Sequence, residues 1–175
     1  MNSESTRKQS VLDAVLQSWD RSNHVLVNLL RALPEGGLEA RATPNSPSVA
    51  EMLTHIHHER MASVSEEAPE FGASVPHEEW IPESDRDRIA EMLNESAAIV
   101  RNAVRARVEA GHDLDRNFGS PVLLISFLIF HESYHHGQVK LALKICGRPI
   151  PDSVAGPITW AVWRANEGRS SQSSD

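Results

Sequence analysis

The sequence lacks the features that would place it in several large protein classes. It has one cysteine among 175 residues, which excludes an internal disulfide and suits a reducing compartment. Its most apolar run, residues 122–130, is too short to cross a bilayer, which takes about 20 residues. The net charge is −7 and there is no basic patch, which argues against binding of nucleic-acid phosphates. We therefore expect a cytoplasmic protein that binds neither membrane nor nucleic acid.

No segment shows the alternating pattern of a strand, whereas apolar residues recur at three- and four-residue steps in four long segments. Serine, proline and glycine supply start and stop signals at the ends of these segments. The predicted helices run over about residues 5–33, from a cap at Ser46 or Ser48 to about Glu67, from a cap at Ser84 to Gly111, and from Ser120-Pro121 to about Cys146.

This pattern predicts an all-α fold, a four-helix bundle in a single domain over residues 1–166 with a disordered tail at 167–175. The connection at residues 68–82 holds three prolines and is long enough to cross the length of the bundle. Short-loop up-down-up-down topology is therefore not required. A short apolar segment at residues 158–163 is expected to form a last helix or a flap packed on the bundle.

Two histidines in the fourth predicted helix point to chemistry. His131 and His135 are four residues apart, so they stack on one helix face, and apolar residues continue that face backwards. Burying a polar group without a partner costs about 1–3 kcal/mol, and one divalent metal ion can satisfy both imidazoles. A third ligand is expected from the second helix. There, His55 and His57 both flank the apolar stripe, and periodicity does not choose between them.

These motifs together resemble a known family. The segment MLTHI at residues 52–56 and the segment HExxHHGQ at residues 131–138 are similar to those of the DinB/YfiT-like family of metal-binding four-helix bundles. The resemblance spans about residues 5–146 in helix order. It implies that His55, His131 and His135 form a metal triad for one divalent ion, zinc or nickel. It also implies, from some family members, thiol-dependent transfer or isomerisation with mycothiol or bacillithiol as cosubstrate.

Three protein ligands leave coordination positions for water or substrate, as in catalytic rather than structural zinc sites. Glu59 lies one helical turn after His55 and could orient a ligand or act as a base. The resulting hypothesis is a metal-dependent transferase or hydrolase that acts on a small molecule, with water or a low-molecular-weight thiol activated at the metal. A non-enzymatic metal-binding stress-response module and a purely structural bundle are the alternatives.

Other polar and apolar residues have simpler expected roles. His57, His58 and His136 are expected on solvated helix faces, and Glu59, if it has no function, is expected to pair with Arg60 or another neighbour. The apolar run at residues 122–130 indicates either the most buried helix or a homodimer face. Trp160 and Trp163 are expected to cover the end of the bundle.

Overall fold

The computed structural model describes residues 3–72 and 74–164, in which helices are joined by loops and no strand occurs. This confirms the predicted all-α bundle, while the tail at 167–175 lies outside the described residues. No helix in the described part of the chain is long and apolar enough to cross a membrane. The elements are α1 (Ser3–Arg31), α2 (Val49–Glu67), a 3-10 turn (Pro69–Phe71), α3 (Arg86–Ala110), α4 (Pro121–Ile145), α5 (Asp152–Ile158) and α6 (Trp160–Arg164).

Side-chain caps fix where two of the bundle helices begin. Helix α2 starts with a capping box, in which Ser48 Oγ accepts from the backbone N–H of Glu51 and the Ser48 N–H donates to the Glu51 carboxylate. Helix α3 is capped by Asp85, not by Ser84 as the sequence suggested. The Asp85 carboxylate accepts two backbone N–H groups, and its negative charge also suits the helix dipole, an advantage that a serine lacks.

The core shows the direction of each helix. One apolar cluster joins the last turns of α1, the first half of α2, the start of α3 and the end of α4. A second cluster joins the first half of α1, the end of α2, the later part of α3 and the start of α4. Helices α1 and α4 therefore run one way and α2 and α3 the other. Because α2 and α3 are parallel, the connection between them must return along α2, about 28 Å for a helix of 19 residues.

The last part of this crossing segment, shortly before α3 begins, is hydrogen-bonded to α2. Thr54 Oγ1 donates to the carbonyl oxygen of Ile81 at 2.9 Å and accepts from the N–H of the same residue at 3.0 Å. The paired hydrogen bonds fix the backbone just after Trp80. They hold that indole and the neighbouring Glu79 beside the middle of the bundle.

The C-terminal apolar segment is helical and packs on α1. Asn28 donates to the carbonyl oxygen of Ile158, and Arg21 donates to that of Trp163 at 2.6 Å. The sequence suggested that Trp160 and Trp163 cover the bundle end, and this prediction was wrong. They lie beside the middle of α1 and α4, because α5 and α6 fold back along α1.

At the end of the bundle where α2 and α3 finish, a salt-bridged arginine joins α3 to the 3-10 turn and to the loop that follows α3. Arg107 in α3 forms a two-pronged ion pair with Glu70 of the 3-10 turn, at 2.6 and 2.8 Å, and contacts Asp115 of the next loop at 2.8 Å. Its guanidinium holds the pKa of Glu70 below its ordinary value of 4.5 and that of Asp115 below 3.8. The interaction is strongest while both carboxyl groups are ionised.

Stability should therefore fall on acidification through these pairs. Both carboxyl pKa values are lowered by folding, so their contribution is complete above the ordinary values and is lost as pH falls through the lowered ones. Urea unfolding from pH 6 to pH 3 should show a shallower loss of stability for Arg107→Met than for wild type. Arg88→Met, which removes the exposed pair with Glu91, is the matched control and should keep the wild-type slope. Equal slopes for Arg107→Met and wild type would contradict this role.

Candidate metal centre

The structure brings three imidazoles from α2 and α4 to one point. His131 Nε2 lies 3.2 Å from His55 Nε2 and 3.1 Å from His135 Nε2. One nitrogen of each ring lies within 4.8 Å of the others. His131 and His135 are one helical turn apart on α4, and His55 faces them from the antiparallel helix α2. The three histidines therefore converge, as the triad hypothesis requires.

The environment keeps these imidazoles neutral. His55 and His135 are each 6% exposed, and His131 is partly buried. Burial, reinforced by the neighbouring imidazoles, lowers the pKa of His55 to about 3 and that of His135 to about 4. Burial also lowers the pKa of His131, with a further contribution from the Arg60 guanidinium. Neutral imidazole is the form that binds a metal ion, so the site is electrostatically prepared for one.

The donor set fits a divalent ion. In a neutral ring, His131 Nε2 carries either one hydrogen or one lone pair, so only one of its contacts, 3.2 Å to His55 Nε2 and 3.1 Å to His135 Nε2, can be a well-aligned hydrogen bond. The Nδ1 atoms on the far sides of all three rings are buried and lack hydrogen-bond partners in the described structure. A zinc–nitrogen distance of about 2.0–2.1 Å corresponds to about 3.3 Å between tetrahedral ligands. Both separations from His131 Nε2 are close to that value, so a shared cation would satisfy all three nitrogens at once.

The crossing segment supplies the next layer around His55. The Trp80 indole stacks on the His55 ring, with centroids 3.9 Å apart and planes 7° from parallel. Glu79 Oε1 lies 2.9 Å from His55 Nδ1, but it is not aligned for a hydrogen bond. The contact is therefore a close electrostatic one, of the kind that orients metal-binding histidines when the carboxylate is well placed. Neither Glu79 nor Trp80 was predicted from the sequence, because both lie in a loop without periodicity.

Glu59, the predicted catalytic residue, borders the same site. It has a carboxylate oxygen within 4.8 Å of donor atoms of His55 and Glu79. Its pKa is raised chiefly by burial, with the neighbouring carboxylates of Glu79 and Glu66 adding to the effect and the closer His58 opposing it. The side chain is 29% exposed, and its neighbour His58 has Nδ1 at 3.9 Å from Glu59 Oε1, whereas Arg60 pairs with Glu132. A carboxylate with a raised pKa beside a metal site is suited to accept a proton.

The remaining histidines of the two motifs lie elsewhere. His57 is 6% exposed, not solvated, and its Nδ1 lies 2.7 Å from the carbonyl oxygen of Met92 on α3. Residues two apart on a helix point about 200° apart, so His55 faces α4 while His57 faces α3. His58 and His136 are also partly buried instead of solvated, and each has one buried ring nitrogen without a hydrogen-bond partner in the described structure.

A buried ion pair next to the triad was missed from the sequence. Arg60 and Glu132 are 0% and 1% exposed, and Arg60 Nε donates to Glu132 Oε1 at 2.7 Å. Arg60 Nη1 also donates to the carbonyl oxygen of Leu93, and Ser22 donates to the second oxygen of Glu132. The guanidinium carbon lies 4.8 Å from the centroid of the Trp19 ring. Glu132 therefore has a structural role inside the bundle, although in the sequence it reads as part of the histidine motif.

Comparison with known proteins identifies the family of this chain. A sequence model of the DinB family matches residues 3–160, which cover most of the chain. Searches of curated proteins and of solved structures gave no significant match. The match spans all four bundle helices and includes the three converging histidines. The chain belongs to the DinB family.

Proposed function

We propose that His55, His131 and His135 bind one divalent metal ion through their Nε2 atoms. The observation that carries this proposal is the convergence of three imidazoles, with the Nε2 atoms of the buried His55 and His135 at 3.2 and 3.1 Å from Nε2 of the partly buried His131. Imidazole suits zinc and nickel, as well as copper, and availability as well as geometry selects among them. We propose zinc or nickel as the resident ion.

We further propose a metal-dependent transferase or hydrolase that acts on a small molecule. When bound, a divalent ion would lower the pKa of a coordinated water or thiol and so supply a nucleophile near neutral pH. Glu59 would accept the proton, since its carboxylate borders the site and burial raises its pKa. Trp80 and Phe127, which stack on His55 and His131, would flank the reacting groups and limit access of water. A low-molecular-weight thiol, as implied by the family, is the proposed cosubstrate, and the reducing cytoplasm is the proposed location.

The reaction can be tested with metal-loaded protein. A cysteinyl-sugar thiol with an electrophilic acceptor, and separately activated esters, should reveal thiol transfer or hydrolysis. We expect turnover to be lost in His55→Ala and retained in His24→Ala, because His24 is an exposed residue of α1. Turnover that survives His55→Ala would contradict the proposed site. If metal-loaded protein is inactive with every substrate class, the enzyme proposal fails and the metal-binding module is favoured.

Glu59 and Glu79 should separate catalysis from metal binding. Glu59→Gln should lower turnover by about 100-fold, within the usual contribution of general acid–base catalysis, and leave metal affinity near wild type. Glu79→Gln should instead weaken metal affinity by about 10-fold, since it removes the carboxylate nearest His55 Nδ1. Metal titration by competition with a chromophoric chelator measures one effect, and steady-state kinetics measures the other. Glu78→Gln, an exposed neighbour, is the control, and identical behaviour of Glu59→Gln and Glu79→Gln would contradict the division of roles.

A homodimer formed through α4 is the oligomeric state that we propose. One face of α4 carries six apolar side chains between 38% and 72% exposed, separated by steps of three, four and seven residues: Leu123, Phe127, Phe130, Tyr134, Leu141 and Ile145. This is the spacing of a helix seam that packs against another helix. A two-fold axis would place this face against the same face of a second copy, so no other complementary surface is required. Its middle residues, Phe127 and Tyr134, also contact the imidazoles of His131 and His135.

The dimer can be tested by sedimentation equilibrium. Wild type should sediment as a dimer and Phe130→Glu as a monomer, because a charge would be buried at the centre of the seam. Val11→Glu places the same charge on an exposed valine of α1 and should remain dimeric. A monomeric wild type would contradict the proposal, as would a dimer unaffected by Phe130→Glu.

A further inference from the structure

A cavity lies away from the triad, between α1, α4 and the C-terminal helices. Its volume is about 250 Å³, and its walls include Ser22, Glu132, His136, Lys140, Trp160 and Trp163. Glu132 and His136 each follow a triad histidine by one residue, which turns them about 100° around α4. No triad residue lines this cavity, so it is a separate site.

The polar wall of the cavity has unused capacity to bind an anion. The Glu132 carboxylate is already neutralised by Arg60 and accepts a hydrogen bond from Ser22, so it does not present a free negative charge. His136 Nε2 is buried and has no hydrogen-bond partner in the described structure. Lys140 lies one helical turn beyond His136 and forms no ion pair or hydrogen bond among the described residues. A buried polar atom without a partner is costly, and an anionic ligand would satisfy both groups.

The opposite wall is apolar and held in place. It consists of the two indoles together with Val25 and Leu26 of α1. The Arg21 and Asn28 hydrogen bonds to the backbone at residues 163 and 158 fix the tryptophan-bearing segment against α1. Trp160 is 66% exposed and Trp163 38%, so each retains surface on which a flat ring could stack.

We propose that this cavity binds a small aromatic carboxylate. The carboxylate would accept hydrogen bonds from Lys140 Nζ and from His136 Nε2 in the tautomer that carries its proton there, while the ring packs on the indoles. Ligand pockets for drug-sized molecules measure about 300–1,000 Å³, so a cavity of this size suits a ligand of one or two rings. The ligand is distinct from any substrate at the triad, since the two sites face different sides of α4.

The proposal can be tested with 2-naphthoate and its uncharged amide, 2-naphthamide, on the full chain. Calorimetric titration and quenching of tryptophan fluorescence should show saturable binding of one naphthoate per chain and at least about tenfold weaker binding of the amide. Lys140→Gln should weaken naphthoate binding by at least about tenfold, since it removes a charge-assisted hydrogen bond. Lys144→Gln makes the same change one turn further along α4, outside the cavity, and should have no effect.

Two more variants separate this cavity from the triad. Ser133→Trp places a large side chain at an exposed position on the cavity wall and should block naphthoate, whereas His131→Ala should leave its affinity unchanged. Circular dichroism checks that each variant is folded. Loss of naphthoate binding in His131→Ala would place the ligand at the triad and overturn the proposal. Equal effects of Lys140→Gln and Lys144→Gln, equal affinity for acid and amide, or no saturable binding would overturn it as well.

Discussion

Replacing His131 with alanine is expected to abolish stoichiometric metal binding. His131 Nε2 is the atom within 3.2 Å of both other triad nitrogens, so its loss leaves two imidazoles and no central donor. Changes to outer-shell partners typically cost 10- to 100-fold in metal affinity, so loss of a ligand should cost more than about 100-fold. Metal content after dialysis, and affinity by chelator competition, measure the effect. His135→Ala should behave in the same way.

Two histidine variants serve as controls. His24→Ala, on the exposed face of α1, should keep wild-type stoichiometry and affinity. His57→Ala should also keep the metal but lower stability, because this imidazole contacts the Met92 carbonyl oxygen within the core. Metal lost in His57→Ala but retained in His55→Ala would reverse the choice of third ligand. Undiminished binding in His131→Ala would exclude the triad.

The same site should make unfolding depend on metal. An ion that binds only the folded chain stabilises it by about 2.7 kcal/mol when its free concentration is a hundred times its Kd. Chelator should therefore lower the Tm of wild type and leave that of His131→Ala unchanged. A wild-type Tm that does not respond to chelator would indicate that the histidines bind no metal under those conditions.

Replacing Arg60 with methionine is expected to destabilise the bundle by about 3–5 kcal/mol, since it leaves the Glu132 carboxylate buried without its cation. That is a large share of the about 5–15 kcal/mol that stabilises typical domains. The substitution also removes the donor to the Leu93 carbonyl oxygen in α3. Urea unfolding at constant pH measures the loss.

A second substitution tests whether the cost comes from the unpaired charge. Arg60→Met combined with Glu132→Leu removes both charges and should be more stable than Arg60→Met alone, because no buried carboxylate remains. Arg101→Met breaks an exposed pair with Asp20 and should cost no more than about 1 kcal/mol. Similar costs for Arg60→Met and Arg101→Met would contradict the inference that the buried pair is energetically distinct.

The ion pair also shows why the histidine motif did not reveal the role of Glu132. Glu132 stands between the two triad histidines of α4 in sequence, yet it faces α1 and the guanidinium of α2. Its partner is 72 residues away. Periodicity gives the angle of a side chain around its own helix, but it does not give the residue that meets it on another helix.

The sequence by itself determined the helical class, the extent of the four long helices to within a few residues and the pairing of His131 with His135, because these follow from spacing along one chain. Only the tertiary structure placed His55, and not His57, beside His131 and His135, set Glu79 and Trp80 against these histidines, and placed Arg60 beside Glu132. Those relations depend on how each helix is rotated toward its neighbours and on the path of the crossing segment. Packing of the whole core fixes both, and no local pattern of residues encodes them.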